Sequence, residues 1–154
     1  MAILKEGDPA PSIDAVDQDG KKITLEEYSG KKVVLYFYPK DNTPGCTAEA
    51  CNLRDHYGAF REQGFEVIGV SADSEKSHQK FIARHALPFR LISDVEKRVL
   101  QDYGAWGEKR LYGKVYMGIL RKTFIIDRNG NIEKIIEKVK TKEHTRQIFE
   151  ELSH

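Results

Sequence analysis

Two cysteines, Cys46 and Cys51, are the only thiols in a chain of 154 residues. They sit in the stretch YPKDNTPGCTAEAC, Tyr38 to Cys51. An apolar run, Val33–Tyr38, leads into it, and Pro39, Asp41, Asn42, Pro44 and Gly45 are loop formers that stop a strand there. The next segment reads as a helix from Cys46 to Gln63. Cys46 then lies near a helix N-terminus, where unpaired backbone N–H groups and a partial positive charge favour thiolate over thiol, and thus a nucleophile at neutral pH. The plainer reading of such a residue is a small buried hydrophobe; the loop, the helix start and the second cysteine weigh against it.

The spacing constrains what the two sulfurs can do together. Five helical residues give a rise of about 7.5 Å and a turn of about 140° beyond one revolution, so the Cα atoms stand roughly 8–9 Å apart. A disulfide needs about 7 Å or less, so the pair closes only if the first helical turns unwind. Cys46, Ala50, Leu53, Tyr57 and Phe60 form the apolar stripe of this helix, and Cys51 lies off it beside Arg54, Asp55 and Gly58. Zinc sites want paired C-x2-C spacings, and a thioredoxin-like dithiol is C-x-x-C; C-x-x-x-x-C, with His56 five residues on but no second ligand pair, matches neither.

The pattern P-x-x-x-T-x-x-C, here Pro39, Thr43 and Cys46, together with the distal run GILRKTFIID, Gly118–Asp127, resembles the signatures of the peroxiredoxins. The run YGAWGEKRLYGKVYMGILRKTFIID resembles those of the bacterioferritin comigratory protein (peroxiredoxin Q) type, and the likeness extends from GDPAPSI over nearly the whole chain. It implies a single thioredoxin-like domain over residues 1–154, a peroxidase whose Cys46 thiolate becomes a sulfenic acid, and Arg121 in the place of the active-site arginine. It further implies that Cys51 resolves the sulfenic acid as an intramolecular disulfide, with thioredoxin or a similar dithiol as reductant and no metal, haem or flavin. On this reading the Thr43 hydroxyl can accept a proton from the peroxide or donate to its oxygen, and Arg121 can hold the thiolate and the developing charge together. Backbone N–H groups around Gly45 and Cys46 complete the donor set, Glu49 would buttress Arg121, and the resemblance implies that Pro39 shields the sulfur. Each has a plainer alternative: Thr43 as a turn former, Arg121 as a surface charge, Glu49 as an acid drawn to the helix dipole. Two other functions stay open, a thiol–disulfide oxidoreductase acting on proteins and a redox sensor whose helix opening signals to a partner.

Composition narrows the remainder. A formal net charge of +1, with no strongly basic stretch, argues against nucleic acid as main partner. No apolar run approaches the roughly 20 residues of a membrane helix, and the N-terminal sequence lacks a signal-peptide pattern. The expectation is a cytoplasmic monomer whose thiols are catalytic and not a structural staple.

The elements expected around the site are a hairpin over 12–25 turning at Asp19-Gly20, a helical turn at Leu25–Tyr28, and strands at Val33–Tyr38 and Phe65–Ala72 made parallel by the intervening helix. Next come a helix from Ser74 to His85, a strand at Phe89–Ile92, a helix capped by Asp94 and running through Tyr103, and a glycine- and aromatic-rich loop over Gly104–Gly118. In that loop Trp106 and Tyr112 are expected to pack the active-site wall or the core. A hairpin around Asn129-Gly130 and a helix over Thr141–Leu152 close a three-layer α/β fold with a mixed sheet. The five histidines attract no role, and His78 and His85 read as solvated.

Overall fold

The computed structural model describes residues 3–153. In chain order the elements are β1 (Ala15–Val16), β2 (Lys22–Ile23), a 3-10 turn (Leu25–Tyr28), β3 (Lys32–Phe37), α1 (Pro44–Asp55), α2 (Tyr57–Glu62), β4 (Phe65–Ser71) and α3 (Glu75–His85). They continue with β5 (Arg90–Ser93), α4 (Arg98–Asp102), β6 (Trp106–Leu111), β7 (Lys114–Ile119), β8 (Lys122–Ile126), β9 (Ile132–Ile136), a second 3-10 turn (Thr141–Glu143) and α5 (His144–Leu152). The central sheet has the order β5-β4-β3-β8-β9. Its β3–β4 and β4–β5 pairs are parallel and its β3–β8 and β8–β9 pairs antiparallel.

β3 is apolar on both faces because both are covered. Val33, Leu35 and Phe37 join one core with Ile13, Ile23, Val99, Leu100 and Tyr103; Val34, Tyr36 and Tyr38 join the other with Cys46, Ala50, Leu53, Phe60, Phe81 and Ile148. Alternation along a strand thus builds two cores, and α1 lies on the second.

Beyond β3 the chain must reverse into α1 within a few residues. Asn42 does this at φ 61, a left-handed conformation that asparagine tolerates better than most residues. Thr43 comes next in extended geometry as N-cap, with Pro44 at the first helical position, where its missing N–H is not needed.

The structure corrects several expectations. The helix after the loop is two helices, broken at His56, whose Nδ1 lies 2.9 Å from the Asn52 carbonyl that a continuing helix would bond. Asp94 is not the immediate cap of α4; it stands before a turn at Lys97, and its carboxylate accepts from the Val99 and Leu100 N–H groups at 3.3 and 2.8 Å. The segment over Gly104–Gly118 is a β-hairpin and not a loop. β6 and β7 pair antiparallel from Trp106↔Ile119 to Leu111↔Lys114. Tyr112 and Gly113 turn it with φ of 51 and 80, the paired positive values of a type I′ turn. Tyr112 is 96 % exposed, so it packs neither wall nor core, whereas Trp106 does pack against the first core. His78 is fully buried, not solvated. His154 falls outside the described residues.

Candidate active site

Both cysteines lie in α1 as free thiols, Cys46 buried and Cys51 partly exposed. The first N–H of α1 to find a helical partner is that of Thr47, bonded to the Thr43 carbonyl at 2.8 Å. The N–H groups of Gly45 and Cys46 precede it and belong to the unpaired first turn. Pro39 and Thr43 are both partly buried beside this turn. The Thr43 hydroxyl donates to the Lys40 carbonyl at 2.8 Å. Its proton is thereby committed, and its lone pairs are left to accept one.

Arg121 comes from the short link between β7 and β8 and reaches across to α1. Its Nη2 donates to Cys46 Sγ at 3.2 Å and its Nη1 to Glu49 Oε1 at 2.6 Å. One planar fork thus spans a sulfur and a carboxylate. Gly45 flanks the approach: a Cβ there would stand 3.4 Å from Arg121 Nη2, an ordinary contact, so the glycine is convenient and not obligatory. Glu49 is fully buried, one helical turn from Cys46. Burial raises its pKa to about 7, against the opposing pull of Arg121. Burial works against the charge on Arg121, but Glu49 and Cys46 outweigh it and hold its pKa above the ordinary value.

Two buried histidines and their partners lie beyond what the sequence reading finds. Asp41, in the active loop, accepts from the Tyr38 hydroxyl at 2.6 Å, from the Ser77 hydroxyl at 2.8 Å, and meets His78 Nδ1 at 2.7 Å. His78 Nε2 faces the Ile92 carbonyl at 2.9 Å, and Asp73 accepts from the Asp41 N–H and the Ser71 hydroxyl at 2.9 and 2.7 Å. Asp41, Asp73 and His78 bring ligand-type atoms within 4.8 Å of one another, but these contacts already occupy them. The cluster is a hydrogen-bond network that ties the active loop to α3. His144, at the start of α5, is the second; its ring lies behind Glu49. The sequence does carry a signal for both: His78 precedes Phe81 by three residues and His144 precedes Ile148 by four, the buried-face spacing of their helices.

A thiol against an arginine fork, unpaired N–H groups at a helix start and a hydroxyl free to accept form a set of groups that can stabilise charge moving from sulfur to oxygen. Known proteins share the chain's sequence and fold. The model of the AhpC/TSA family matches residues 6–135. Peroxiredoxin Bcp of Bacillus subtilis is 44 % identical over 149 residues, covering 97 % of this chain and 95 % of its own. The crystal structure of a cysteine-to-serine mutant of Xylella fastidiosa PrxQ superposes with a TM-score of 0.91 at 30 % identity, covering 99 % of this chain and 98 % of its own. A Xanthomonas campestris bacterioferritin comigratory protein, described for its alkyl peroxide reduction activity, superposes with a TM-score of 0.85 at 34 % identity, covering 92 % of this chain and 90 % of its own.

The chain belongs to the AhpC/TSA family, within its Bcp/PrxQ peroxiredoxins. It is a thiol-dependent peroxidase, whose substrate is a peroxide and whose electrons come from a thiol. Among the described residues no helix is long and apolar enough to cross a membrane.

Proposed function

We infer that Cys46 is the thiolate that attacks peroxide and that Cys51 resolves the product. The observation that carries this is the Arg121 fork, 3.2 Å from Cys46 Sγ and anchored on Glu49 by its other nitrogen. Sulfur attacks one peroxide oxygen, the O–O bond breaks, sulfur is oxidised to the sulfenic acid, and the second oxygen leaves with the electron pair to be protonated as water or alcohol. Thr43 takes the hydrogen bond of the peroxide O–H, while Arg121 and the Gly45 and Cys46 N–H groups follow the charge onto the leaving oxygen. Pro39 limits access of water to the sulfur.

Cys51 then attacks the sulfenic sulfur, water leaves, and a Cys46–Cys51 disulfide forms once the first turns of α1 have unwound. Thioredoxin or a similar dithiol returns both cysteines to thiols by exchange. Hydrogen peroxide and organic hydroperoxides both fit this chemistry, and the alkyl peroxide activity in the description of the Xanthomonas relative supports the second. A resolving cysteine on the same chain removes one need for a partner subunit, in keeping with a cytoplasmic monomer.

The test is repeated turnover with peroxide and thioredoxin, with mass analysis of the oxidised protein. Sustained turnover and an internal disulfide are expected. A single oxidation that the dithiol does not reverse would instead favour a redox sensor.

A further inference from the structure

Only one of the two Glu49 oxygens is answered. Oε1 takes the Arg121 bond; Oε2 is buried with no hydrogen-bond partner, as is the Tyr36 hydroxyl on β3. From α5, Nε2 of the fully buried His144 lies 3.5 Å from Glu49 Oε2. The neighbours of this ring fix its state. The Gln147 amide nitrogen donates to the Lys138 carbonyl at 2.7 Å, and Gln147 Oε1 accepts the Lys140 N–H at 2.9 Å. The oxygen is therefore what faces His144 Nδ1 at 2.9 Å, and Nδ1 carries a hydrogen. In the neutral ring Nε2 is then an acceptor, lying 2.7 Å from the Thr123 hydroxyl.

The one in-plane lone pair of Nε2 is thereby taken by Thr123, so the neutral ring offers Glu49 Oε2 no hydrogen, and an ionised Oε2 would stand bare in a dry site. Charge adds to the difficulty. The groups facing Glu49 are Cys46 on α1, Arg121 between β7 and β8, Tyr36 on β3 with Asp41 beyond it, and His144 on α5. A Cys46 thiolate and a Glu49 carboxylate would share the single Arg121 cation, leaving one buried negative charge uncompensated. One proton on Glu49 Oε2 removes both problems and leaves the arginine charge to the sulfur.

We propose that Glu49 is a neutral carboxylic acid in the reduced protein, kept so by a neutral His144 ring that gives Oε2 neither a hydrogen nor a charge, which makes His144 a positioning residue acting on Cys46 through Glu49 and Arg121. The proposal rests on Cys46 being the reactive thiolate. The pKa directions agree: burial lifts Glu49 to about 7, and burial, with Arg121 adding to it, lowers His144 to about 4. The proton rests on the carboxyl. As pH rises the proton leaves, Glu49 becomes anionic and draws on Arg121, and Cys46 loses part of its support.

The proton can be read directly in the resting protein, whether or not peroxide turns over, which separates failure of this proposal from failure of the functional reading. Infrared difference spectra of reduced wild type and Glu49→Gln near neutral pH should show a protonated-carboxyl stretch missing from the variant. Nitrogen-15 NMR of the His144 ring should show a neutral ring protonated at Nδ1. An ionised Glu49, or an imidazolium at His144, overturns the proposal. The rate of Cys46 oxidation should fall several-fold on the alkaline side in wild type. In His144→Gln, whose amide can donate to Oε2 and so favours the carboxylate, that fall should move to lower pH; in His144→Phe, which offers no hydrogen, it should stay near the wild-type position. Superimposable profiles for all three proteins would reduce His144 to a packing residue. If His144→Phe does not fold, the comparison of wild type with His144→Gln and the two spectra still decide the matter.

Discussion

Replacing Arg121 by alanine removes a side chain that hydrogen-bonds to both Cys46 and Glu49. The lost contact to sulfur is a charge-assisted hydrogen bond at 3.2 Å, a class worth about 1.5–3 kcal/mol. A donor aimed at charge developing in a transition state is worth about 2.7–4 kcal/mol. The second figure governs the chemical step, so the rate of peroxide attack should fall about 10²–10³-fold. The fold should suffer less than loss of a buried ion pair suggests, because Glu49 can respond by protonating. Its pKa is about 7 with Arg121 present, and Arg121 is what holds it down. Near pH 7 full protonation therefore costs only about 0.4 kcal/mol, the free energy of giving up one of two equally populated states. Arg121→Lys keeps the charge but not the fork, and should fall between wild type and alanine. Stopped-flow mixing of reduced protein with peroxide, read by thiol loss, measures the rate, and thermal unfolding checks the fold. A folded Arg121→Ala that reacts within about threefold of wild type, less than the 1.4 kcal/mol that a factor of ten represents, would refute this role.

Thr43→Val should slow peroxide attack about tenfold or more while Thr43→Ser stays near wild type, since the hydroxyl is what matters; equal loss in both would point to turn shape instead. Asp41→Ala leaves the Tyr38 and Ser77 hydroxyls and His78 without their acceptor, and should lower unfolding stability by about 3–5 kcal/mol, read by chemical denaturation. The Glu49–His144 pair predicts opposite pH slopes of stability. A carboxyl raised from 4.5 to about 7 is most favourable to folding below pH 4.5 and loses that advantage as pH rises to about 7; an imidazole lowered from 6.5 to about 4 does the reverse, gaining stability as pH rises from about 4 to 6.5. Each amounts to about 3 kcal/mol, and the two nearly cancel in wild type. His144→Phe should expose the falling slope and Glu49→Gln the rising one; parallel curves in denaturation between pH 4 and 7 would contradict the shifts.

The central architecture is legible in the sequence because both periods are strong. The continuous apolar run of β3 marks a strand covered on both faces, and the stripe of Cys46, Ala50, Leu53, Tyr57 and Phe60 marks the buried face of α1 and α2; all but the half-buried Tyr57 are fully buried or nearly so. Glu49 is legible only as a partner of Arg121 through the resemblance, since a buried acid at that position looks in sequence like any acid in a first turn. The β6–β7 hairpin is hidden for a physical reason. Leu111, Val115, Tyr116 and Met117 are all exposed, so no core-facing alternation betrays the strands, and Tyr-Gly is a weaker turn signal than Asn-Gly. The helical spacing of His78 and His144 marks them as inward-facing, but their partners, Asp41 and Glu49, lie 37 and 95 residues away in sequence. Only the folded sheet brings them together.

The most direct measurement of the central claim is the stoichiometry of peroxide consumed by reduced protein in the absence of any reductant, with the oxidised residue located by mass. Cys51→Ser should consume peroxide as fast as wild type in its first oxidation and carry a sulfenic acid at Cys46, while Cys46→Ser should show no fast reaction. If Cys46→Ser reduces peroxide at close to the wild-type rate, Cys46 is not the residue that attacks.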